Sequence, residues 1–301
     1  MLMLKIANLF KKKKIEFSVA KLLVFLFVSL WCVAFLYCIG WAIVTSLKSN
    51  LEFIVFQNIM DWPEKWEFEN YVAAWNEGFN VQVFGDNYAN IYDMFLNSII
   101  YATGCTLFAV FSKLITAYAC AKYDFPGKSV LYAVAIVTMI LPIVGAMPST
   151  LRVMRFLNLY NTFIGCFLMN AGFHGMYFLL FYAAFASVPN TYIEAARMDG
   201  AGHFRIMVQI MIPLVIPTVI AVMLVVFISF WNGYEAPMMY LSNRPTISFG
   251  LYLLTLKTNG GFSDAPRQLA GAFIICLPIL AVFLIFRNKI MNNMSIGGIK
   301  G

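Results

Sequence analysis

Residues 22–47 give 26 consecutive positions without an Asp, Glu, Lys or Arg. About 20 apolar residues in a helix cross the ~30 Å hydrocarbon core of a bilayer, and helix is the form open to such a run because lipid offers its backbone no hydrogen-bond partner. Five more apolar runs follow at 94–121, 129–149, 162–187, 211–234 and 268–286, interrupted by a single charge, Lys113. Together they predict an all-α membrane protein with six transmembrane helices. The balance of 61% hydrophobic against 12% charged residues excludes an ordinary soluble domain. Lys11 to Lys14 ahead of the first run resemble the start of a signal peptide. The run is longer than a cleavable one, however, and no small-residue cleavage site follows, so this span is expected to be retained.

The charges then set an orientation. With both termini inside, the inner segments hold 13 Lys and Arg: six within 1–21, then Lys122, Lys128, Arg197, Arg205, Arg287, Lys289 and Lys300. The outer segments hold seven: Lys48, Lys65, Arg152, Arg155, Arg244, Lys257 and Arg267. An excess of basic residues inside is the normal bias of membrane proteins, and it accounts for the net charge of +7 without a nucleic-acid partner. The chain divides into a cytoplasmic N-terminal segment (1–21), a first span with an external segment (22–93), a transmembrane core (94–287) and a cytoplasmic tail (288–301). Cys32, Cys38, Cys105, Cys120, Cys166 and Cys276 all fall in the apolar runs, with no CxxC pair and no metal-ligand spacing. They are expected to be buried apolar thiols, and no metal site is expected.

Between two of the runs lies a polar island, Val188 to Pro213, on the cytoplasmic side of this topology. Thr191 with Glu194 three residues later fits a capping box. Asp199-Gly200-Ala201-Gly202 signals a helix break. A second helical run is expected up to Pro213, which suits the first turn of the helix that follows. Glu194-Ala195-Ala196, then Gly200, then Ile210-x-Ile212-Pro213 resembles the EAA signature of permease subunits of binding-protein-dependent ABC importers, with Ile212 where that family usually has Leu. The resemblance implies a type I ABC importer permease fold with a cytoplasmic coupling helix within 188–213. It implies ATPase coupling through Glu194, Ala195, Ala196, Asp199, Gly200, Ile210 and Pro213. The partners implied are a second permease subunit (MalF-like), two ATP-binding subunits, an extracytoplasmic solute-binding protein and membrane lipid, in the plasma (inner) membrane of a bacterium. No cofactor is implied on this chain; ATP and Mg belong to the partner ATPases.

Weaker matches point to the carbohydrate class. Trp66-Glu-Phe-Glu-Asn70-Tyr71, Asn97-Ser98, Phe125-x-Gly127-Lys128 and Leu159-x-Asn161-Thr162 each resemble stretches of carbohydrate permeases, and Ser295 to Gly301 resembles the ending of maltose-type (MalG-like) members. Gly127-Lys128-Ser129 looks like the end of a phosphate loop, but such a loop needs glycine at 122, which is lysine, so no catalytic residue is assigned. The external segment 48–93 shows no period that would fold it, beyond a short amphipathic helix around 69–77. Segment 235–267 is rich in turn formers.

Polar residues inside the spans are candidates for a solute path, since lipid penalises them. Asn170, His174, Ser229, Trp231, Asn232 and Tyr234 are assigned to the translocation path. Ser229 to Glu235 combines aromatic rings, which stack on sugar faces, with amide and carboxylate groups, although Trp and Tyr also favour the membrane interface. His174 reads more readily as a hydrogen-bonded packing residue than as a ligand. Lys113 is expected to snorkel along its stem to the cytoplasmic surface. Pro142 and Pro148 are expected to kink or break the third span. Two alternatives stand beside the importer permease of sugars: an ABC permease for a non-sugar solute such as a glycerol phosphate, and an ion-coupled secondary transporter. The latter predicts inverted repeats and several intramembrane ionisable groups; only Lys113 and His174 are present, and no repeat is visible.

Overall fold

A computed structural model describes residues 19–54, 58–79, 81–82, 88–141, 145–257 and 264–294. In chain order the helices are α1 (Val19–Ser46), α2 (Asn50–Ile54), α3 (Glu69–Ala73, continued by a π turn Ala74–Gly78), α4 (Ile91–Lys122), α5 (Lys128–Ile140), α6 (Ala146–Phe156), α7 (Phe163–Asn170) and α8 (Met176–Ala186). They continue as α9 (Thr191–Met198), α10 (His203–Ile206, leading into a π turn Met207–Met211), α11 (Ile212–Asn232), α12 (Glu235–Tyr240), α13 (Ile247–Lys257) and α14 (Ala265–Met294). Two residues each of β1 (Val81–Gln82) and β2 (Tyr88–Ala89) pair antiparallel ahead of α4.

Among the described residues, four helices are long and apolar enough to cross a membrane: Leu22–Ser46, Ile91–Lys122, His203–Asn232 and Ala265–Ile285. α4 is the hub. It packs against α7, α8, α11 and α13, and its buried residues recur in all three apolar clusters of the fold. α1 packs along α14 and keeps its apolar side chains facing outward. Cys32, Cys38 and Cys276 share that outward exposure, so the expectation of six buried thiols holds for Cys105, Cys120 and Cys166 alone. An apolar run surrounded by lipid has no need of an inward face, so periodicity could not separate the two groups.

The stretches 129–149 and 162–187 are not single helices: the first, expected to kink or break at its prolines, and the second, expected as one run, are each interrupted. α5 ends at Ile140 and α6 starts anew after Gly145, whose φ of +79° admits glycine most readily. Pro148 lies in the first turn of α6, where its missing N–H removes nothing, so it does not kink a helix; Pro142 lies outside the described residues. The fourth span breaks between Asn170 and Met176, where Gly175 takes a φ of +101°.

The described residues of segment 48–93 are folded more firmly than their sequence suggested. Lys48 is fully buried, its Nζ donating to the carbonyls of Asn58 (2.7 Å) and Ile59 (3.3 Å). Glu52 accepts from Asn58 Nδ2 (2.7 Å) and the Glu64 amide (2.9 Å), while Asn70 Nδ2 donates to the carbonyls of Ser46 and Lys48. Burial pushes the Lys48 ammonium below its ordinary value, with the Glu52 charge opposing. The expected short helix near 69–77 is present as α3 and its π turn. Segment 235–267 is largely helical: α12 packs on α6, and α13 on α4 and α14. The tail 295–301 lies outside the described residues.

Candidate functional site

The island begins as the sequence suggests, with two helices parted at Gly200, but its stabilisation differs. The N-cap of α9 is Asn190 in a helical conformation, and no side chain caps the helix; the Thr191–Glu194 capping box does not form. Asn190 is used elsewhere. Lys122, the last residue of α4, donates to the Val188 carbonyl and to Asn190 Oδ1 (2.9 Å), so the island entry is bound to the end of the hub helix. At the other end of α9, the Gly200 amide bonds the Arg197 carbonyl (3.0 Å) and the Ala201 amide bonds that of Ala196 (2.9 Å). These are the two bonds of a Schellman stop, which places its C′ residue in the left-handed region, and Gly200 has a φ of +78°. A Cβ there would meet nothing within 4 Å, so backbone angle alone demands the glycine.

The second half departs further. Pro213 lies in the first turn of α11, as expected, but the helical backbone already runs unbroken into it from His203. The π turn Met207–Met211 lies just ahead of Pro213, where a proline would otherwise crowd the Gln209 carbonyl four residues back. The island is thus joined to α11 by continuous helical backbone. Ile193, Ala196, Ile206 and Met211 are buried in the cluster that holds Phe178, Phe181 and Phe185 of α8. Tyr123 Oη reaches His203 Nδ1 (3.0 Å) and Tyr118 Oη (3.3 Å), adding a polar string between the end of α4 and α10.

Of the seven residues expected to couple, Glu194, Ala195, Asp199, Gly200 and Pro213 are exposed. Ala196 is buried and Ile210 half-buried, both against the chain's own core, so neither meets a partner freely. Three large apolar residues stand out on the same surface: Tyr192 (49% exposed), Met198 (89%) and Phe204 (75%). Sequence reading passed over them, because their apolar character merged with the runs on either side.

A second site lies where α4, α7, α8 and α11 converge. A cavity of about 230 Å³ is lined by Ala109, Lys113, Asn170, Tyr177, Val226, Ser229 and Phe230. Asn170 is the last residue of α7; its Nδ2 donates to the Cys166 carbonyl (2.8 Å) and to Cys105 Sγ (3.7 Å). The broken backbone after it is supported by Ser112 Oγ, which donates to the Gly172 carbonyl (3.1 Å). Lys113 does not snorkel toward the island end. Its Nζ donates to the Ala109 carbonyl one turn back (3.1 Å), because helical side chains lean toward their own N-terminus, and for α4 that is the far end.

The six expected path residues therefore part company. Asn170 and Ser229 line the cavity, while His174 sits in the nearby break, beside Gly172. Trp231 is buried in the core with Phe95 and Phe227, its Nε1 donating to the Ile275 carbonyl (3.4 Å). Tyr234 stacks on Tyr252 of α13 with ring centroids 4.4 Å apart, and Asn232 is exposed at the end of α11. Tyr177 was missed, since one tyrosine in an aromatic run carries no signal of its own.

Residues 113–293, more than half of the chain, match the family described as the inner membrane component of binding-protein-dependent transport systems. The chain is similar to the diacetylchitobiose uptake system permease protein NgcG of Streptomyces coelicolor, at 27% identity over 272 residues, covering 89% of this chain and 85% of that one. It is also similar to the arabinooligosaccharides transport system permease protein AraQ of Bacillus subtilis, at 25% identity over 288 residues, covering 95% and 98%. A chain from the crystal structure of a bacterial ABC transporter involved in the import of the acidic polysaccharide alginate shares the fold, with a TM-score of 0.69 and 23% identity over 90% of this chain and 96% of that one. The apolar helices, the glycine-stopped island and the matched family agree: this chain belongs to the inner membrane components of binding-protein-dependent transport systems.

Proposed function

We propose that the chain is one of two permease subunits of an ATP-driven importer of sugars or oligosaccharides, forming half of the translocation path. The observation that carries this reading is the island: a rigid element bound to α4 by Lys122, continuous with α11, and presenting Tyr192, Met198 and Phe204 outward. Exposed aromatic and methionine side chains beside polar neighbours are what a protein interface uses. We read six passes, with α5–α6 and α7–α8 as the broken third and fourth, and the excess of Lys and Arg on the island's side supports a cytoplasmic position for the island and both termini, where two ATPase subunits carrying ATP and Mg would meet it. An external solute-binding protein would deliver solute to the opposite face. The sugar assignment is supported by the uptake systems of diacetylchitobiose and arabinooligosaccharides named among its relatives.

In this mechanism ATP-driven closure of the ATPases moves the island as a rigid body. Because continuous helical backbone joins it to α11, and α8 packs on the same cluster, the displacement tilts both helices and switches the path between inward and outward access. The family is one of transport permeases rather than enzymes, so hydrolysis belongs to the partners. The test is co-purification with the ATPase subunits, followed by uptake into liposomes of the sugar that the external partner binds. Uptake that requires ATP is expected; uptake driven by a proton gradient without an ATPase would overturn the proposal.

A further inference from the structure

Taking the chain as half of a solute path, we propose that Lys113 is a solute-contacting residue and that the cavity it lines accepts solutes bearing an anionic group, a sugar carboxylate or a phosphate ester, beside hydroxyls. Three independent features meet there.

The first is uncompensated charge. The Lys113 ammonium has three N–H donors and one of them is used, on the Ala109 carbonyl. No Asp or Glu occurs in α7, α8 or α11, and the one acid of α4, Asp93, lies 20 residues earlier at the opposite end of the helix. Among the described residues no ion pair includes Lys113. Lys113 is half-buried, and an ammonium in an otherwise apolar helix bundle is costly unless water or an anion faces it, because charge interactions strengthen as the surroundings become less polar.

The second feature is the helix break. α7 contributes 8 residues before it and α8 contributes 11 after it, so at ~1.5 Å per residue the break falls near the middle of a ~30 Å span. Irregular backbone survives at that depth where it is packed in protein or lines a polar cavity, and discontinuous helices of this kind build the mid-membrane sites of transporters. The third is the company Lys113 keeps. Asn170 ends the broken helix, Tyr177 follows the break, and Ser229 faces them from α11, supplying amide and hydroxyl groups at the same cavity. A neutral sugar would be served by those three alone. The fixed cation adds recognition of a negative charge, through hydrogen bonds shortened and strengthened by that charge.

The test uses the purified complex with its partner permease and ATPases, in nucleotide-free form, and follows its melting temperature with two matched pairs of probes. Galacturonate is compared with galactose, and glycerol 3-phosphate with glycerol, each pair at equal concentration and ionic strength. A ligand that binds the folded state raises the melting temperature according to its affinity. The expected result is a rise of about 2 °C or more for the anionic member over its neutral counterpart in at least one pair. That difference should vanish in Lys113→Gln and persist in Lys113→Arg, which keeps the charge. Which pair responds tells carboxylate from phosphate. Equal responses within both pairs, or an anion preference that survives Lys113→Gln, would overturn the proposal. Because each variant is read against its own unliganded melting temperature, a loss of folding is seen directly. Failure here leaves ATP-dependent uptake, the test of the importer reading, untouched.

Discussion

The island and the cavity hold polar groups in place by opposite means. The island is shaped by neighbours in sequence, a Schellman stop at Gly200 and a π turn before Pro213, and is tied to α4 by one lysine far away in the chain. The cavity is shaped by residues far apart in the chain, Lys113, Asn170, Tyr177 and Ser229, which meet because four helices converge. A locally coded element can be moved as a unit without losing its form, as a coupling part requires. A cavity between helices changes shape whenever those helices shift, which suits a path that must open and close. The same contrast predicts where substitutions should hurt, and how.

The largest effect is expected where α4 packs on α7, beside the cavity. A Cβ on Gly104 would lie 2.1–2.8 Å from the Phe167 ring, and that ring is already stacked between Phe108 and Phe163. Gly104→Val should therefore push α7 away from α4, at a cost of about 3 kcal/mol, and displace Asn170 from the cavity. Strongly lowered thermal stability with loss of transport is the expected outcome. Normal transport would show that the cavity tolerates movement its geometry seems to forbid. Next comes the external knot. Lys48→Met leaves the carbonyls of Asn58 and Ile59 without their buried donor, a loss of about 2 kcal/mol. Hydrogen exchange should rise across 47–71 while α4, α8 and α11 stay protected. The sign with pH is also fixed. Since burial lowers the Lys48 value below 10.5, the unfolded chain holds the proton more tightly, and stability due to this group rises as pH climbs from the lowered value toward 10.5. That rise should be missing in Lys48→Met.

At Gly200 the effect is smaller and its cause narrower. With open space around the missing Cβ, only the positive φ resists a side chain. Gly200→Val should cost about 1–2 kcal/mol, whereas Gly200→Asn, which visits the left-handed region more easily, should cost less. The readout is ATP hydrolysed per solute transported. Uncoupling in the Val variant with near-normal coupling in the Asn variant is the expected pattern; identical behaviour of the two would show that backbone angle at this stop is not what matters.

Much of the fold was legible because lipid imposes a plain rule on composition. The apolar runs marked four long helices and the location of the two broken ones, and Asp199-Gly200-Ala201-Gly202 marked the island's stop. What stayed hidden depended on contacts between distant residues. Lys48 looked like an ordinary external lysine until Asn58 and Ile59 folded over it. Lys113 was visible as a charge in a span, but its direction followed from the lean of side chains on α4 and from the break in the fourth span. Trp231 carried an interfacial and sugar-stacking signature, yet Phe95, Phe227 and the Ile275 carbonyl enclose it.

The smallest predicted effect separates shape from contact within the island itself. Thr191 and Glu194 have the spacing of a capping box, in which loss of the cap residue would cost ~1 kcal/mol. Since no side chain caps α9, Thr191→Ala should change stability by only a few tenths of a kcal/mol. Glu194 is exposed in the first turn of α9, where a carboxylate interacts favourably with the positive end of the helix, so Glu194→Ala should cost about 0.3–1 kcal/mol of stability. Those values set the ceiling for a structural role. If Glu194→Ala lowers ATP-dependent uptake or ATPase retention by tenfold while thermal stability moves no more than this, the side chain acts by touching the partner. If uptake and retention are unchanged, coupling rests on the seated shape of the island and on Tyr192, Met198 and Phe204, and the acidic residue serves only the helix it begins.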